Sequence, residues 1–153
     1  MNSVKTGKIY GINGPVIYLK GRSEFKMSEM VYVGSQKLVG EVIGLDKDLT
    51  TIQVYEETSG LRPGEEVVGT DAAVSVTLAP GILNNIFDGI ERPLEKIAEE
   101  GGAFVVRGVN VDSLDTEKLW ETHITVQEGE LVHGGTVIAE VQETRAIVHK
   151  CMV

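Results

Sequence analysis

The chain has 153 residues, 42% hydrophobic and 24% charged, with a formal charge of −9 and one cysteine, Cys151. That charge disfavours nucleic acid and anionic membrane faces, both of which are met by cations. The lone cysteine forbids an intrachain disulfide and fits a reducing cytoplasm, and no run approaches the roughly 20 apolar residues of a membrane span.

Glycine is abundant, at 18 residues, and aromatics make up 5%, the composition of short strands joined by tight turns. Residues 7–20, GKIYGINGPVIYLK, read as two strands around Asn13-Gly14-Pro15, where Gly supplies positive φ and Pro fixes φ near −65°. MVYVG (30–34) and LVGEVIGL (38–45) follow, with Gln36-Lys37 at the tip between them. DKDL (46–49) is a polar turn into TTIQVYEET (50–58), whose alternation puts Ile52 and Val54 on one side and Gln53 and Tyr55 on the other. SGLRPGEEV (59–67) reads as a loop. AVSVTL (73–78) reads as the sixth strand, with Val74, Val76 and Leu78 on one face. Six short strands without an intervening helix predict a small closed β-barrel, which also removes exposed sheet edges.

The period then changes. Ile82, Leu83, Ile86, Phe87 and Ile90 fall at helical spacing, and Asp88-Gly89 interrupts them. Pro93 suits the first turn of a second helix, PLEKIAEE, with Glu95 near the positive end of its dipole and Gly101-Gly102 as its terminator. β patterning returns in AFVVRGV (103–109), HITV (123–126), GELVHGGTVIAEVQE (129–143) and RAIVHKCMV (145–153). Between them, Ser113 to Thr116 reads as a polar turn capping a helical turn that carries Leu119 and Trp120. The chain stops at Val153 within an apolar run, and the expectation is a piece cut inside a second, incomplete β domain. The expected fold is mostly β: a six-stranded barrel over 1–79, a short helical connector over 80–107, and a β-rich, barrel-sandwich-like insertion from 108 to 153.

Chemistry is sparse. No G-x-x-x-x-G-K-[ST] phosphate loop, no helix-opening G-x-G-x-x-G and no G-x-S-x-G elbow occurs. A zinc site could in principle gather His133, His149 and Cys151, but their spacing is not that of metal ligands, and with His123 they read as surface or strand-end residues. Cys151 has no adjacent base to make it a nucleophile. The pairs Glu56-Glu57, Glu65-Glu66 and Glu99-Glu100 read as solvated carboxylates rather than acid–base groups. No catalytic, cofactor-binding or metal-binding residue is therefore assigned. A rival reading comes from the rhythm G-x-x-V-x-x-G-x-x-I, Gly129 to Ile138, which resembles biotinyl and lipoyl carrier domains. Such carriers present a modifiable lysine at a hairpin tip, whereas Lys150 reads as mid-strand.

The order of motifs resembles the catalytic A subunits of vacuolar/archaeal-type rotary ATPases in their archaeal and bacterial form. GKIYGINGPVI is similar to that family's opening strand pair, and VGSQKLVGEVIGL to its next hairpin. TTIQVYEETSGLRPGEEV is the most diagnostic stretch, and VSVTLAPGILNNIFDGIERPL matches the family's connector. Glu143, Thr144, Ile147, His149, Met152 and Val153 match its E-T-x-x-I-x-H-x-x-M-V. Two departures stand out: Glu91 where the family usually has Gln, and Ala79 where it usually has Gly.

The resemblance implies a barrel in a crown of six, next to B subunits in an alternating hexamer. It implies a connector whose Pro80-Gly81 and Asp88-Gly89 corners aim the chain, and an insertion that reaches the peripheral stalk. It implies a cytoplasmic location at the membrane periphery. ATP and Mg2+ belong, on this reading, to parts of the full-length protein that have no matching positions in this chain. A translation-factor-like RNA-binding barrel is disfavoured by the charge and the missing aromatic platform.

Overall fold

The computed structural model describes residues 5–21, 24–83, 85–102, 108 and 111–153. The described residues fall into two compact units, one built on the chain up to Ser75 together with Gly108, the other on Val76–Gly102 and Val111–Val153.

The first unit is the barrel that the alternation predicts. Strands β1 (Thr6–Asn13), β2 (Val16–Lys20), β3 (Glu29–Val33), β4 (Leu38–Asp46), β5 (Leu49–Val54) and β6 (Glu66–Ala73) close antiparallel in the order β1-β2-β5-β4-β3-β6. Every second side chain enters the interior: Ile17 and Leu19 from β2, Val31 and Val33 from β3, Leu38 and Val42 from β4, Ile52 and Val54 from β5, Val67 from β6. Each such Val, Leu or Ile contributes roughly 1.5–3 kcal/mol by leaving water. Register shifts at Ile9/Gly11, Glu29/Val31 and Val42/Gly44 mark bulges, the device that adds the local twist a small barrel needs. Phe25, which lies outside the strands, closes part of the interior at 5% exposure. Room for it comes from Gly69: a Cβ there would lie 2.5 Å from Glu29 Oε1 and 3.0 Å from the Phe25 ring.

The sixth strand is where the sequence reading fails. It lies at Glu66–Ala73, partly inside the stretch read as a loop, and residues 74–78 belong to no strand. Val67 and Val68 pair both with Gly7 and Thr6 of β1 and with Val33 and Tyr32 of β3, so this segment alone can close the sheet. Val74, Val76 and Leu78 do alternate, but without a strand partner they stay 39%, 60% and 72% exposed.

The second unit holds α1 (Leu94–Gly101) and a three-stranded antiparallel sheet, β7 (Thr122–Ile124), β8 (Val137–Gln142) and β9 (Val148–Met152), in that order. Helix α1 begins after Pro93 and ends at Gly102, whose φ of 72° lets its N–H reach the Ala98 carbonyl at 2.8 Å. Among the described residues of this unit, Ile97, Ala139 and Val141 are buried. The helix expected over Ile82–Ile90 does not form among the described residues, which are turns and a bridge between Phe87 and Pro93. Nor does a helical turn follow Ser113; Asp115 instead accepts the N–H groups of Glu117 and Lys118 at 3.0 and 3.3 Å, an Asx-type turn that competes with a helix. The strand expected over 103–109 lies, apart from Gly108, outside the described residues.

Candidate functional site

The outer wall of the barrel carries a groove of about 950 Å³. Its floor is made by Tyr32 on β3, Val39 on β4 and Val68 on β6, the outward neighbours of core valines and Leu38. Its polar rim is already engaged. Glu65 accepts the N–H of Arg62 at 2.7 Å and of Ser35 at 3.1 Å. Glu56 accepts the N–H of Gly108 at 2.9 Å and of Val39 at 3.5 Å. Two of the carboxylates that read as solvated pairs in the sequence are therefore loop clamps. With Lys37, Arg62 and Glu66 also lining it, the groove mixes both charge signs and offers no concentrated anion or cation cradle.

A denser cluster sits where β6 meets the approach to β3. The Glu29 side chain is 1% exposed. Its carboxylate accepts the N–H of Lys26 at 2.7 Å and of Asp71 at 2.9 Å, and Lys5 Nζ lies 3.3 Å away. Asp71 in turn takes Lys26 Nζ at 2.6 Å and Lys5 Nζ at 2.7 Å. These two ammonium groups, Lys26 first, hold the Asp71 carboxyl down at about 2, and Asp71 in return raises the Lys5 ammonium above its ordinary value. Lys5 bridges Glu29 and Asp71, and Lys26 pairs with Asp71, so the cluster ties three chain segments together. One signal was available in the sequence: Glu29 is in phase with Val31 and Val33, a carboxylate on the inward side of a strand.

In the second unit, Asp88 organises the turn that replaces the expected helix. Its Oδ1 accepts the N–H groups of Ile90 at 3.0 Å and Arg92 at 2.9 Å, and its Oδ2 takes Arg92 Nε at 2.8 Å. Burial alone pushes the Asp88 carboxyl up, but these donors outweigh it and hold the carboxyl below the ordinary range. Arg92 is only 8% exposed and Asp88 partly so, so the pair is a part-buried staple.

The residues weighed for chemistry stay apart. Among the described residues, no group of three or more His, Cys, Asp or Glu side chains gathers as metal ligands. His133 is exposed in the loop before β8, while His149 and Cys151 lie along β9 opposite Val141 and Ala139. Lys150 sits in the middle of β9, paired with Glu140, and the turn between β8 and β9 is at 143–147. That is a ladder position, not the hairpin tip at which a carrier lysine must meet its ligase. No helix among the described residues is long and apolar enough to cross a membrane.

Comparison with known proteins adds the context the geometry lacks. Residues 9–71 match the model of the ATP synthase alpha/beta family beta-barrel domain, and residues 111–153 that of the ATP synthase alpha/beta subunit barrel-sandwich domain. The chain is 54% identical over 147 residues to the V-type ATP synthase alpha chain 2 of Clostridium tetani, covering 96% of this chain and 25% of that protein. It is 53% identical over 152 residues to the A subunit of the A-type ATP synthase of Methanopyrus kandleri, covering 99% and 26%. It is 49% identical over 150 residues to the corresponding protein of Pyrococcus horikoshii, covering 98% and 16%. The chain thus spans about a quarter or less of the length of these relatives.

Proposed function

The chain belongs to the ATP synthase alpha/beta family, among its V-type/A-type A (alpha) subunits, and on that premise we propose that it is the N-terminal, non-catalytic scaffold of one such protein. The parent machine couples ATP synthesis or hydrolysis to the transport of H+ or Na+. Residues 1–79 serve as the crown barrel that keeps neighbouring A and B subunits in register. Residues 80–107 are the connector, and residues 108–153 begin the insertion that contacts the peripheral stalk. The assembly sits on the cytoplasmic side, peripheral to the membrane.

The observation that carries this reading is the closed six-stranded barrel, most of which a family match covers. In a barrel every strand is paired on both sides, so it can bear load at subunit contacts without offering an edge for stray strand addition. The polar groups support the same reading: Glu29, Glu56, Glu65 and Asp88 are all engaged in holding backbone. ATP and Mg2+ find no fit here, because the chain lacks a phosphate-cradling loop, and no step of catalysis is assigned to its residues. Titration calorimetry of this chain with MgATP is expected to show no saturable heat. Magnesium-dependent binding in the micromolar range would overturn the scaffold reading.

A further inference from the structure

We infer that Glu143 is a positioning residue, a latch that pins the corner at residues 80–83 to the three-stranded sheet so that corner and sheet move as one body. The inference stands on the geometry of the second unit and does not depend on the proposed function. Glu143 lies 62 residues from Gly81 in sequence, yet its Oε1 accepts the N–H of Gly81 at 2.7 Å and of Leu83 at 3.2 Å. Its side chain is 3% exposed, and its other oxygen lies 3.5 Å from Nδ1 of His149 on β9. A buried carboxylate is costly unless its oxygens are occupied. Here two backbone donors occupy one oxygen, and an imidazole lies beside the other.

The arm that presents this carboxylate is itself rigid. Glu143 N–H donates to the Ile147 carbonyl at 3.1 Å, and Thr144 Oγ1 accepts the N–H groups of Ala146 at 3.3 Å and Ile147 at 3.1 Å. Gln142 Nε2 donates to the Thr144 carbonyl at 2.6 Å, so the turn is fixed from its strand side as well. The corner, by contrast, has few ties of its own. It belongs to no strand or helix, Gly81 has a φ of 104°, and its other hydrogen bonds among the described residues are Ile82 N–H to the Ala79 carbonyl at 3.3 Å and Asn85 Nδ2 to the Gly81 carbonyl at 2.6 Å. Trp120 backs it on another side, where a Cβ at Gly81 would meet the indole at 3.4 Å. Among the described residues, the side chain that ties this corner to the sheet is Glu143, and its local opening should follow that strong acceptor.

Amide hydrogen exchange followed residue by residue by NMR on the whole chain tests this, with Glu143→Ala and Glu143→Gln. In E143A, exchange at Gly81 and Leu83 is expected to accelerate by roughly tenfold or more, while Ala139 and Val141 in β8 keep their rates. E143Q retains an acceptor oxygen without the charge and should fall between E143A and the parent chain, which a purely space-filling role would not produce. If E143A does not fold, the same comparison in E143Q decides. Unchanged exchange at Gly81 and Leu83, or equal acceleration of corner and β8 together, would overturn the latch.

Discussion

Glu29→Ala is the sharpest test of how the barrel is held. The substitution removes a carboxylate that is 1% exposed and accepts two backbone N–H groups, from Lys26 and Asp71. Hydrogen bonds to a charged acceptor contribute about 1.5–3 kcal/mol each. Asp71 is 48% exposed, so water can reach part of the vacated site and the sum should lie toward the lower end. Lys5 keeps Asp71 as a partner, so no buried ammonium is stranded. The expected loss is about 3–4 kcal/mol, a large share of the roughly 5–15 kcal/mol by which a domain is stable. Urea titration measures it: the midpoint should fall by roughly 2 M for a slope near 1.5 kcal/mol/M. The probes separate the two units. Tyr10, Tyr18, Tyr32 and Tyr55 all lie in the first, and Trp120, the only tryptophan, lies in the second. The tyrosine transition should therefore move while the tryptophan transition stays. A loss below about 1 kcal/mol, or an equal shift in both signals, would refute the reasoning.

The other predictions concern the same frameworks. Asp71 has a folded-state carboxyl at about 2, below its ordinary 3.8; its stabilisation is present above the ordinary value and is lost as pH falls from about 4 to about 2. Acid titration of the barrel signal should show this loss, and Asp71→Asn should flatten that window. Gly40→Ala places a Cβ 2.9 Å from the Gln53 carbonyl oxygen and 3.1 Å from Ile52 Cγ2. Since a backbone atom of the paired strand cannot yield cheaply, a cost of about 1–3 kcal/mol is expected in the same urea assay. Asp88→Ala removes the acceptor shared by two backbone N–H groups, of Ile90 and Arg92, together with the Arg92 Nε contact. The lost hydrogen bonds should lower the stability of the second unit by about 2–4 kcal/mol, read on Trp120 with the tyrosine transition unmoved.

Much of the barrel was legible because period-two alternation is a local property. Ile52 and Val54 against Gln53 and Tyr55 announce an inside and an outside wherever the strand ends up. Turns were legible for a related reason: Asn13-Gly14-Pro15 and Lys47-Asp48 bring chain-reversing residues with them, and Pro93 and Gly102 bracket α1 by their own φ preferences. The resemblance to the rotary ATPases lay in ordered motifs, and those too belong to the sequence.

What alternation does not carry is pairing. Residues 73–78 alternate as well as any strand, yet the barrel closes through 66–73, because only there do the backbone groups meet both β1 and β3 while Gly69 clears Glu29 and Phe25. The apolar spacing from Ile82 to Ile90 is helical, yet Asp88 captures the N–H groups of Ile90 and Arg92 and folds the segment into turns. Composition and order thus determined a mostly β chain, its turns, the helix after Pro93 and its kinship. Tertiary structure alone decided which segment completes the barrel and which carboxylates become clamps, since the donors those carboxylates meet lie as many as 62 residues away and a local pattern has no means of encoding such a meeting.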